Sequence, residues 1–257
     1  MNRLEQILEA KRAEIRGLRE QRAELDRQAR ERKDFRDFRA ALQQRDNEIA
    51  VIAEVKKASP SAGVISAEFN PSEIAKNYER AGANAISVLT DAQFFQGALQ
   101  HLRDVRRAVS LPLLRKDFIL DEIQIAESAA NGADAVLLIV AALEQSQLVD
   151  LSRAAESHQL AALVEVHTRD ELRRAIAAGA KIVGINNRNL ATFDVDLAVT
   201  EELCRDVPDE IVFVSESGIK TARDVERVKA CGADAVLVGE ALMRGEISIE
   251  ELRGRRS

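Results

Sequence analysis

Hydrophobic and polar positions along most of the chain follow two periods, that of a short buried strand and that of an amphipathic helix. From residue 50 onward, short runs rich in Val, Ile, Leu and Ala alternate with stretches whose apolar residues lie three or four apart. The runs predict eight strands, at about 50–56, 85–89, 112–116, 135–140, 161–166, 181–186, 211–215 and 235–239. An eightfold strand–helix unit in a chain of this length predicts a (β/α)8 barrel.

Four segments of the chain resemble one another and support this repeat. AGANAISVLTD, NGADAVLLIVA, AGAKIVGINNR and CGADAVLVGEA align on Gly82, Gly132, Gly179 and Gly232, at intervals of 50, 47 and 53 residues. In each segment a helical pattern ends at the glycine, and a β-branched run follows. A doubly wound open sheet is the main alternative, but it does not usually repeat so evenly. We therefore predict an α/β fold with a single (β/α)8 TIM barrel.

The first 45 residues follow a different pattern, that of a charged helical segment. Apolar residues recur along one side at Leu4, Ile7, Leu8, Ile15, Leu18 and Leu25. A coiled coil is conceivable, but Lys11 and Arg22 interrupt the heptad pattern. We predict an N-terminal helical extension over 1–45, packed on a barrel catalytic domain over 46–257. Its 13 basic and 9 acidic residues indicate either an acidic barrel surface beneath it or an anionic ligand nearby.

Composition limits the class of partner. The formal net charge of −6 argues against a general nucleic-acid binder. Residues 1–30 show no apolar signal-peptide core, and the longest uncharged apolar run, 135–143, is far too short to cross a membrane. Cys204 and Cys231 lack metal-ligand spacing and are interpreted as reduced thiols, able at most to form one bridge. We expect a soluble cytoplasmic protein, and a monomer is compatible with the sequence.

The first predicted strand carries charges where a buried strand should have none. Side chains alternate along a strand, so Ile52, Glu54 and Lys56 lie on one face, opposite Val51 and its neighbours. Burying a carboxylate and an ammonium group costs several kcal/mol unless they are paired or used. A routine surface ion pair is the alternative interpretation.

Four further strands end in polar side chains in the same way. These are Lys116 in strand three, Glu165 in strand five, Asn186 and Arg188 in strand six, and Glu216 in strand seven. Because barrel active sites form at the C-terminal ends of the strands, we expect these side chains to converge at one mouth. A structural ion network is the alternative, since such networks also perturb pKa values.

Two glycine-containing loops indicate a phosphate site. Ser217-Gly218 follows strand seven and Gly239 follows strand eight, each before a helical pattern. Glycine lets the backbone approach an anion closely, and these two loops commonly hold phosphate in barrels. We therefore predict a phosphate-bearing substrate, with ordinary turn and capping glycines as the alternative.

Aromatic residues follow the second and third strands. Phe94, Phe95 and Phe118 lie there, and Pro60 follows the first strand. Aromatic side chains at a catalytic mouth can sandwich a ring, whereas the alternative is simple packing of buried loops.

Seven motifs, in their order along the chain, resemble those of the indole-3-glycerol phosphate synthase family. They are AEVKKASPS, SVLTDAQFFQG, LRKDFI, LVEVH, GINNRNL, VSESGI and VLVGEALM. The resemblance covers nearly the whole chain, including the N-terminal helical extension. It implies closure of the pyrrole ring of 1-(2-carboxyphenylamino)-1-deoxyribulose 5-phosphate in tryptophan biosynthesis, with loss of CO2 and water. It also implies that no metal or organic cofactor takes part.

The resemblance further implies catalytic roles. It assigns Lys116 as the acid for ring closure and Glu165 as the base for dehydration. Lys56, paired with Glu54, is either an anchor for the substrate carboxylate or a second acid. We expect neighbouring cations and partial desolvation to bring the pKa of Lys116 toward the working pH.

Binding roles follow from the same resemblance. Asn186 and Arg188 would position the substrate carboxylate and ring nitrogen, and Glu216 would orient hydroxyls or a lysine. The implied phosphate contacts are Ser59, Ser217, Gly218, Gly239 and Glu240, and the implied ring pocket is Pro60, Phe95, Phe118, Leu137 and Leu190. Some relatives have Ser at position 240, where a carboxylate beside phosphate is unfavourable unless it turns away.

Two other functions compete with this interpretation. An isomerase of a phosphoribosyl amine would need an acid–base pair, but no cationic carboxylate anchor or paired lysines. A non-catalytic sugar-phosphate sensor would not need every catalytic position to be filled. Incubation with the carboxyphenylamino substrate, followed by indole absorbance or fluorescence, distinguishes all three.

Overall fold

Eight parallel strands close into a barrel in the computed structural model of the chain, which describes residues 3–43, 48–59, 63–65, 68–189, 192 and 194–254. Each strand pairs with the next one along the chain, and the last pairs with the first. The strands are β1 (Ala50–Val55), β2 (Ala85–Leu89), β3 (Leu113–Lys116), β4 (Ala135–Ile139), β5 (Ala161–Val166), β6 (Ile182–Asn186), β7 (Val212–Glu216) and β8 (Ala235–Val238). Their bounds lie within one residue of the predicted ones, so the (β/α)8 barrel prediction is confirmed.

Helices precede the barrel and separate its strands. They are α1 (Arg3–Leu18), α2 (Arg22–Glu31), α3 (Phe38–Leu42), α4 (Pro71–Arg80), α5 (Ala92–Phe95), α6 (Leu99–Ala108), α7 (Glu122–Ala130), α8 (Gln145–Ser157), α9 (Arg169–Ala177), α10 (Ala198–Leu203), α11 (Ala222–Ala230), α12 (Glu240–Met243) and α13 (Ile249–Leu252). Single 3-10 turns lie at Arg19–Gln21, Val140–Ala142 and Cys204–Asp206. A short antiparallel hairpin, Ala58–Ser59 with Gly63–Val64, follows β1.

The four repeated segments share one local geometry. Each aligned glycine has a positive φ, between 80° and 93°, which ends the preceding helix as predicted. In three copies the Asn or Asp two residues later accepts the backbone N–H of the neighbouring strand. The pairs are Asn84 with Val51 N at 3.0 Å, Asp134 with Leu113 N at 2.9 Å, and Asp234 with Phe213 N at 2.8 Å. The repeat therefore encodes both the helix end and the attachment of the next strand.

The barrel interior is apolar over most of its length and polar at the C-terminal ends of the strands. Ile52, Leu114, Leu163 and their neighbours fill the interior, while alternate residues such as Val51 pack outward against the helices. At the C-terminal ends of the strands the same inward positions become charged, beginning with Glu54 in β1. Strand alternation therefore directs the predicted polar residues into one mouth.

The N-terminal extension packs on the barrel through three helices. Ile15 of α1 and Leu25 of α2 lie in one apolar cluster with Ile123 of α7. The side chains of Phe38 and Leu42 in α3 are fully buried with the residues that fill the barrel interior. The extension therefore packs on the barrel rather than forming a coiled coil. Its division from the barrel at residue 45 lies outside the described residues and stays a prediction.

Two expectations from composition concern cysteines and membranes. Cys204 and Cys231 are free thiols, and burial together with the neighbouring Cys204 raises the pKa of Cys231 to about 11. Across the described part of the chain, no helix combines the length and apolar character needed to cross a membrane.

Candidate active site

Fourteen of the residues singled out from the sequence line one cavity of about 470 Å³ at the C-terminal ends of the strands. The polar set is Glu54, Lys56, Lys116, Glu165, Asn186, Arg188 and Glu216, and the remainder are Phe95, Phe118, Leu137, Ser217, Gly218, Gly239 and Glu240. Pro60, Leu190 and the side chain of Ser59 lie outside the described residues. The structure thus brings the described candidates together, while their individual roles stay predictions.

Lys116 is the centre of the charged residues at the mouth. Its ammonium group contacts the Glu216 carboxylate, and its Nζ lies 3.2 Å from Glu165 Oε2. These three side chains come from β3, β5 and β7, each pointing inward at the end of its strand. We call Lys116, Glu165, Glu216, Glu54 and Lys56 the mouth cluster.

Glu54 and Lys56 form the second ion pair of the mouth cluster. Lys56 Nζ lies 2.6 Å from Glu54 Oε1, and the Glu54 side chain is only 6% exposed. Burial alone would raise the pKa of Glu54, but the Lys56 and Lys116 charges outweigh burial and lower it. Gly239 stands beside this carboxylate, and a Cβ at that position would collide with Glu54. Gly239 therefore makes room for Glu54, a reason for the glycine that the sequence did not indicate.

Glu216 is the acid of the site whose carboxylate is incompletely hydrogen-bonded. It is fully buried, and no hydrogen-bond partner for its Oε1 lies among the described residues. Burial raises the pKa of Glu216 to about 7, because Lys116 only partly offsets burial and the nearby Glu165 charge adds to it. Gly184 of β6 leaves the space that this carboxylate occupies.

The expected direction for the pKa of Lys116 is wrong. Burial alone would lower it, but the carboxylates of Glu216, Glu165 and Glu54 outweigh burial and raise it. The sequence suggested nearby cations, whereas the structure surrounds this lysine with anions. Lys116 is consequently held protonated, which is the form that an acid needs before it acts.

Asn186 and Arg188 lie on the β6 side of the cavity. The Asn186 side chain hydrogen-bonds Glu165, and its Oδ1 accepts the Arg188 backbone N–H at 3.0 Å. Burial alone would raise the pKa of Glu165, but Lys116, His167 and this Asn186 hydrogen bond lower it. The arrangement keeps Glu165 ionised, as a general base requires.

The loop after β7 has an unusual backbone. Ser217 and Gly218 are consecutive residues with positive φ, 63° and 85°. Such a conformation is uncommon for Ser, and the buried Asn187 supports it by donating from Nδ2 to the carbonyls of Glu216 and Ser217, at 2.9 and 3.1 Å. Asn187 Oδ1 in turn accepts from Thr200. The sequence analysis did not identify Asn187 as a residue that organises this loop.

The Glu240 carboxylate forms an ion pair with Arg244. Arg244, one turn further along the chain, places Nη2 at 3.2 Å from Glu240 Oε1. The ion pair partly neutralises the Glu240 carboxylate, whose negative charge we expected to be unfavourable beside a phosphate.

An aromatic pair lines the other side of the cavity. The ring centroids of Phe95 and Phe118 are 6.4 Å apart with an interplanar angle of 37°. Leu137 of β4 lines the same cavity, whereas Phe94 does not. Phe94 is half-buried, so among these three phenylalanines the cavity is lined by Phe95 and Phe118.

Several cavity or near-cavity residues escaped the sequence analysis. Arg3, Leu4 and Ile7 of α1 line the cavity, so the N-terminal helix forms part of the site. The apolar stripe that contains Leu4 and Ile7 is visible in the sequence, but a stripe does not indicate which surface it packs on. His167 lies with Nε2 3.5 Å from Glu165 Oε1. The strand alternation that places Leu163 and Glu165 on one face also places His167 there, so the sequence could have indicated this residue.

No group of three or more His, Cys, Asp and Glu side chains is placed to hold a metal ion within the described ranges. A reaction without metal or organic cofactor stays an expectation from the resemblance.

Comparison with known proteins places the chain among close relatives. The family described as indole-3-glycerol phosphate synthase matches residues 4–253. Three of the similar proteins, each named indole-3-glycerol phosphate synthase, illustrate the likeness. The Leptothrix cholodnii protein is 49% identical over 94% of both chains. The Chlorobium phaeovibrioides protein is 52% identical over 94% of this chain and 95% of its own, and the Chloroherpeton thalassium protein 48% identical over 96% of both.

Proposed function

We propose the chemistry of this site from one premise: the chain belongs to the indole-3-glycerol phosphate synthase family. The protein converts 1-(2-carboxyphenylamino)-1-deoxyribulose 5-phosphate to indole-3-glycerol phosphate, a lyase step of tryptophan biosynthesis that releases CO2 and water. The observation that carries the proposal is Lys116, half-buried at the cavity and paired with both Glu165 and Glu216. A proton donor and a proton acceptor thereby face the same substrate.

Ring closure uses Lys116 as the acid. The ring carbon that bears the carboxylate attacks the ketose carbonyl, and Lys116 protonates the alkoxide that develops. The surrounding carboxylates hold Lys116 protonated beforehand, and Glu216 keeps its ammonium group oriented. Loss of CO2 then restores the aromatic ring.

Dehydration uses Glu165 as the base. Its carboxylate takes the proton of the amine while an acid protonates the hydroxyl group, which departs as water. A proton then moves from the neighbouring methylene carbon to the nitrogen and gives the indole. Its lowered pKa supports this role, because a base must be ionised before it acts.

Lys56 has two candidate roles that the geometry leaves open. Next to Glu54 at the cavity, it either anchors the substrate carboxylate or protonates the departing hydroxyl group. Asn186 and Arg188 position the carboxylate and ring nitrogen from β6 and the segment after it.

The substrate phosphate binds at the loops after β7 and β8. Ser217 and Gly218 offer the positive-φ backbone held by Asn187, and Gly239 and Glu240 line the same cavity. The backbone N–H of residue 240 is the proposed donor to phosphate there. Ser59 completes the set that the family resemblance implies. The aromatic ring of the substrate lies against Phe95, Phe118 and Leu137, with Pro60 and Leu190 as further contacts from the resemblance.

A mass-spectrometric single-turnover experiment tests the division of labour. Lys116→Ala should abolish CO2 release and indole formation together, by about 10²–10⁴-fold or more. Glu165→Gln keeps size and hydrogen bonding but removes the base, so a species lighter by CO2 yet not by water should accumulate. Lys181→Ala and Glu156→Gln, at exposed positions on other parts of the barrel, are the matched controls.

Three outcomes would contradict this proposal. Rapid CO2 release by Lys116→Ala would remove Lys116 as the closing acid. Equal slowing of both steps by Glu165→Gln, without the decarboxylated species, would place Glu165 at or before closure. If the wild-type protein forms no indole product at all, the proposed activity is itself wrong.

Location and assembly complete the proposal. We infer a cytoplasmic monomer acting on a phosphorylated small molecule, with no nucleic-acid or membrane partner. Light scattering after size-exclusion chromatography measures the mass, and a value of twice the 28.3 kDa of one chain would exclude the monomer.

A further inference from the structure

An imidazole lies between two carboxylates at the end of β5. His167 Nδ1 is 3.3 Å from Glu171 Oε2, and its Nε2 is 3.5 Å from Glu165 Oε1. Glu171 Oε2 also accepts the His167 backbone N–H at 2.7 Å, and Thr168 caps helix α9 by accepting from Glu171 N at 3.2 Å. The turn from β5 into α9 therefore holds the imidazole against the base of the proposed reaction.

The two contacts constrain the proton on the imidazole. A carboxylate accepts hydrogen bonds only, so Nδ1 must carry a proton toward Glu171. Nε2 then faces Glu165 Oε1, where a lone pair against a carboxylate oxygen would be repulsive. The 3.5 Å contact is an ion-pair distance, and Nε2 has no hydrogen-bond partner among the described residues. A proton between Nε2 and Glu165 removes the repulsion, with His167 either an imidazolium beside a carboxylate or neutral beside a carboxylic acid.

Other groups around the pair favour the first of these states. Glu165 faces Lys116 from β3 and Asn186 from β6, both of which stabilise the carboxylate, with the Glu216 and Glu54 charges further round the mouth. His167 faces only carboxylates among the charged groups that act on it strongly, namely Glu171, Glu165 and Glu216. Burial alone would lower the pKa of His167, but these carboxylates outweigh burial and raise it.

We propose that His167, held by Glu171, is a positioning residue for the Glu165 base: as an imidazolium it attracts Oε1 and keeps the carboxylate ionised while Lys116 occupies Oε2. The inference rests on the proposed function, because it assumes that Glu165 is the base for dehydration. It adds a second cation to the base and explains why a histidine follows the base by two residues on the same side of β5.

The pH dependence of dehydration tests this role. His167→Gln removes the cation, so the pKa of Glu165 should rise and the acid limb of the dehydration rate should move upward by about one pH unit. Below that limb the rate should fall about tenfold relative to wild type, and above it the two rates should converge. Glu171→Gln should move the limb in the same direction by a smaller amount, because it weakens the hold on the imidazolium.

A spectroscopic titration gives a readout that does not depend on activity. The chain has 3 histidines, so ¹H–¹⁵N spectra of the imidazoles can be assigned with His101→Gln and His158→Gln, which also serve as matched controls for activity. The pKa of His167 should lie above its ordinary value of about 6.5 and should fall in both Glu165→Gln and Glu171→Gln.

Separate outcomes overturn the inference and the proposed function. If His167→Gln lowers the rate equally at every pH, or leaves the acid limb in place, His167 has only a structural role. An imidazole that titrates at or below the ordinary value would also overturn the inference. If Glu165→Gln accumulates no decarboxylated species, the assignment of the base fails first, whatever the His167 titration shows.

Discussion

Two buried ionic clusters lie on opposite sides of the end of β3. Lys116 points into the barrel and belongs to the mouth cluster, whereas its neighbours Arg115 and Asp117 point outward beneath α1. The outward group, which we call the wall cluster, consists of Lys11, Asp91, Arg115, Asp117 and Glu127. Each cluster contains two cations and three carboxylates, so charge count alone does not distinguish them.

Charge pairing distinguishes the clusters. Asp91 Oδ2 of the wall cluster and Glu216 Oε1 of the mouth cluster both lack a hydrogen-bond partner among the described residues, but Asp91 Oδ2 lies 3.0 Å from the Lys11 ammonium group. In the wall cluster Lys11 Nζ lies 3.0 Å from Asp91 and 2.9 Å from Asp117, and Arg115 bonds Asp117 and Glu127 at 3.1 and 2.9 Å. Asp117 further accepts from Thr90 Oγ1 at 2.5 Å and from the Phe118 N–H at 2.8 Å.

Charge pairing in the mouth cluster is less complete than in the wall cluster. Its Lys116 is shared by two acids, and no hydrogen-bond partner of Glu216 Oε1 is found in the described part of the chain. Burial would raise the pKa of Asp117, but Arg115 and Lys11 lower it, whereas the pKa of Glu216 is raised to about 7. All five residues of the mouth cluster line the cavity, whereas of the wall cluster only Asp117 does. The mouth cluster is therefore the one suited to bind a substrate.

The largest expected effect on stability comes from breaking the wall cluster. Lys11→Met leaves two buried aspartates without their shared cation, so the unfolding free energy should fall by about 3–5 kcal/mol. Lys76→Met, which breaks the exposed pair with Glu73, should cost less than about 1 kcal/mol and is the control. Denaturant titration measures both, and kcat of folded Lys11→Met should stay near the wild-type value. A large loss of kcat at unchanged stability would make the wall cluster part of the chemistry.

A second prediction uses the opposite behaviour of an acid in each cluster. Because the folded-state pKa of Glu216 is raised, its stabilising proton is fully bound below pH 4.5 and is lost as pH rises through about 7. Glutamine does not ionise, so Glu216→Gln does not lose this stability as pH rises. Its unfolding free energy relative to wild type should therefore improve by roughly 3 kcal/mol between pH 4.5 and pH 8. Its activity should fall, because Lys116 loses its orienting partner.

Glu127→Gln is the wall-cluster counterpart in the same denaturant titrations. It should be destabilising at pH 8, since it removes a partner from buried Arg115. Equal pH dependence of Glu216→Gln and wild type would show that Glu216 is as well satisfied as the wall acids.

The smallest effect sharpens the role of the second lysine at the mouth. If Lys56 anchors the substrate carboxylate, Lys56→Ala should weaken binding of the carboxylated substrate by about tenfold or more, the value of a lost charged hydrogen bond. Binding of a decarboxy analogue should change little, and calorimetry compares the two ligands. Equal weakening of both would favour Lys56 as an acid or as a structural partner of Glu54.

Local pattern was sufficient for the barrel and for the five charged residues of the mouth cluster. Glycines at regular intervals and β-branched runs located every strand within one residue, because helix ends and strand alternation depend on near neighbours. Alternation also placed Glu54, Lys116 and Glu165 on the inward face. The same rule reaches His167, which was overlooked.

Tertiary structure alone decided how those side chains interact. Lys11 was interpreted as a break in a heptad pattern, but it pairs with Asp91 and Asp117, roughly a hundred residues away in the chain. The direction of the Lys116 pKa was mispredicted, because it depends on Glu216, another hundred residues distant. Sequence periodicity fixes which face a residue occupies, whereas electrostatic energy depends on distances and burial that exist only once distant strands meet.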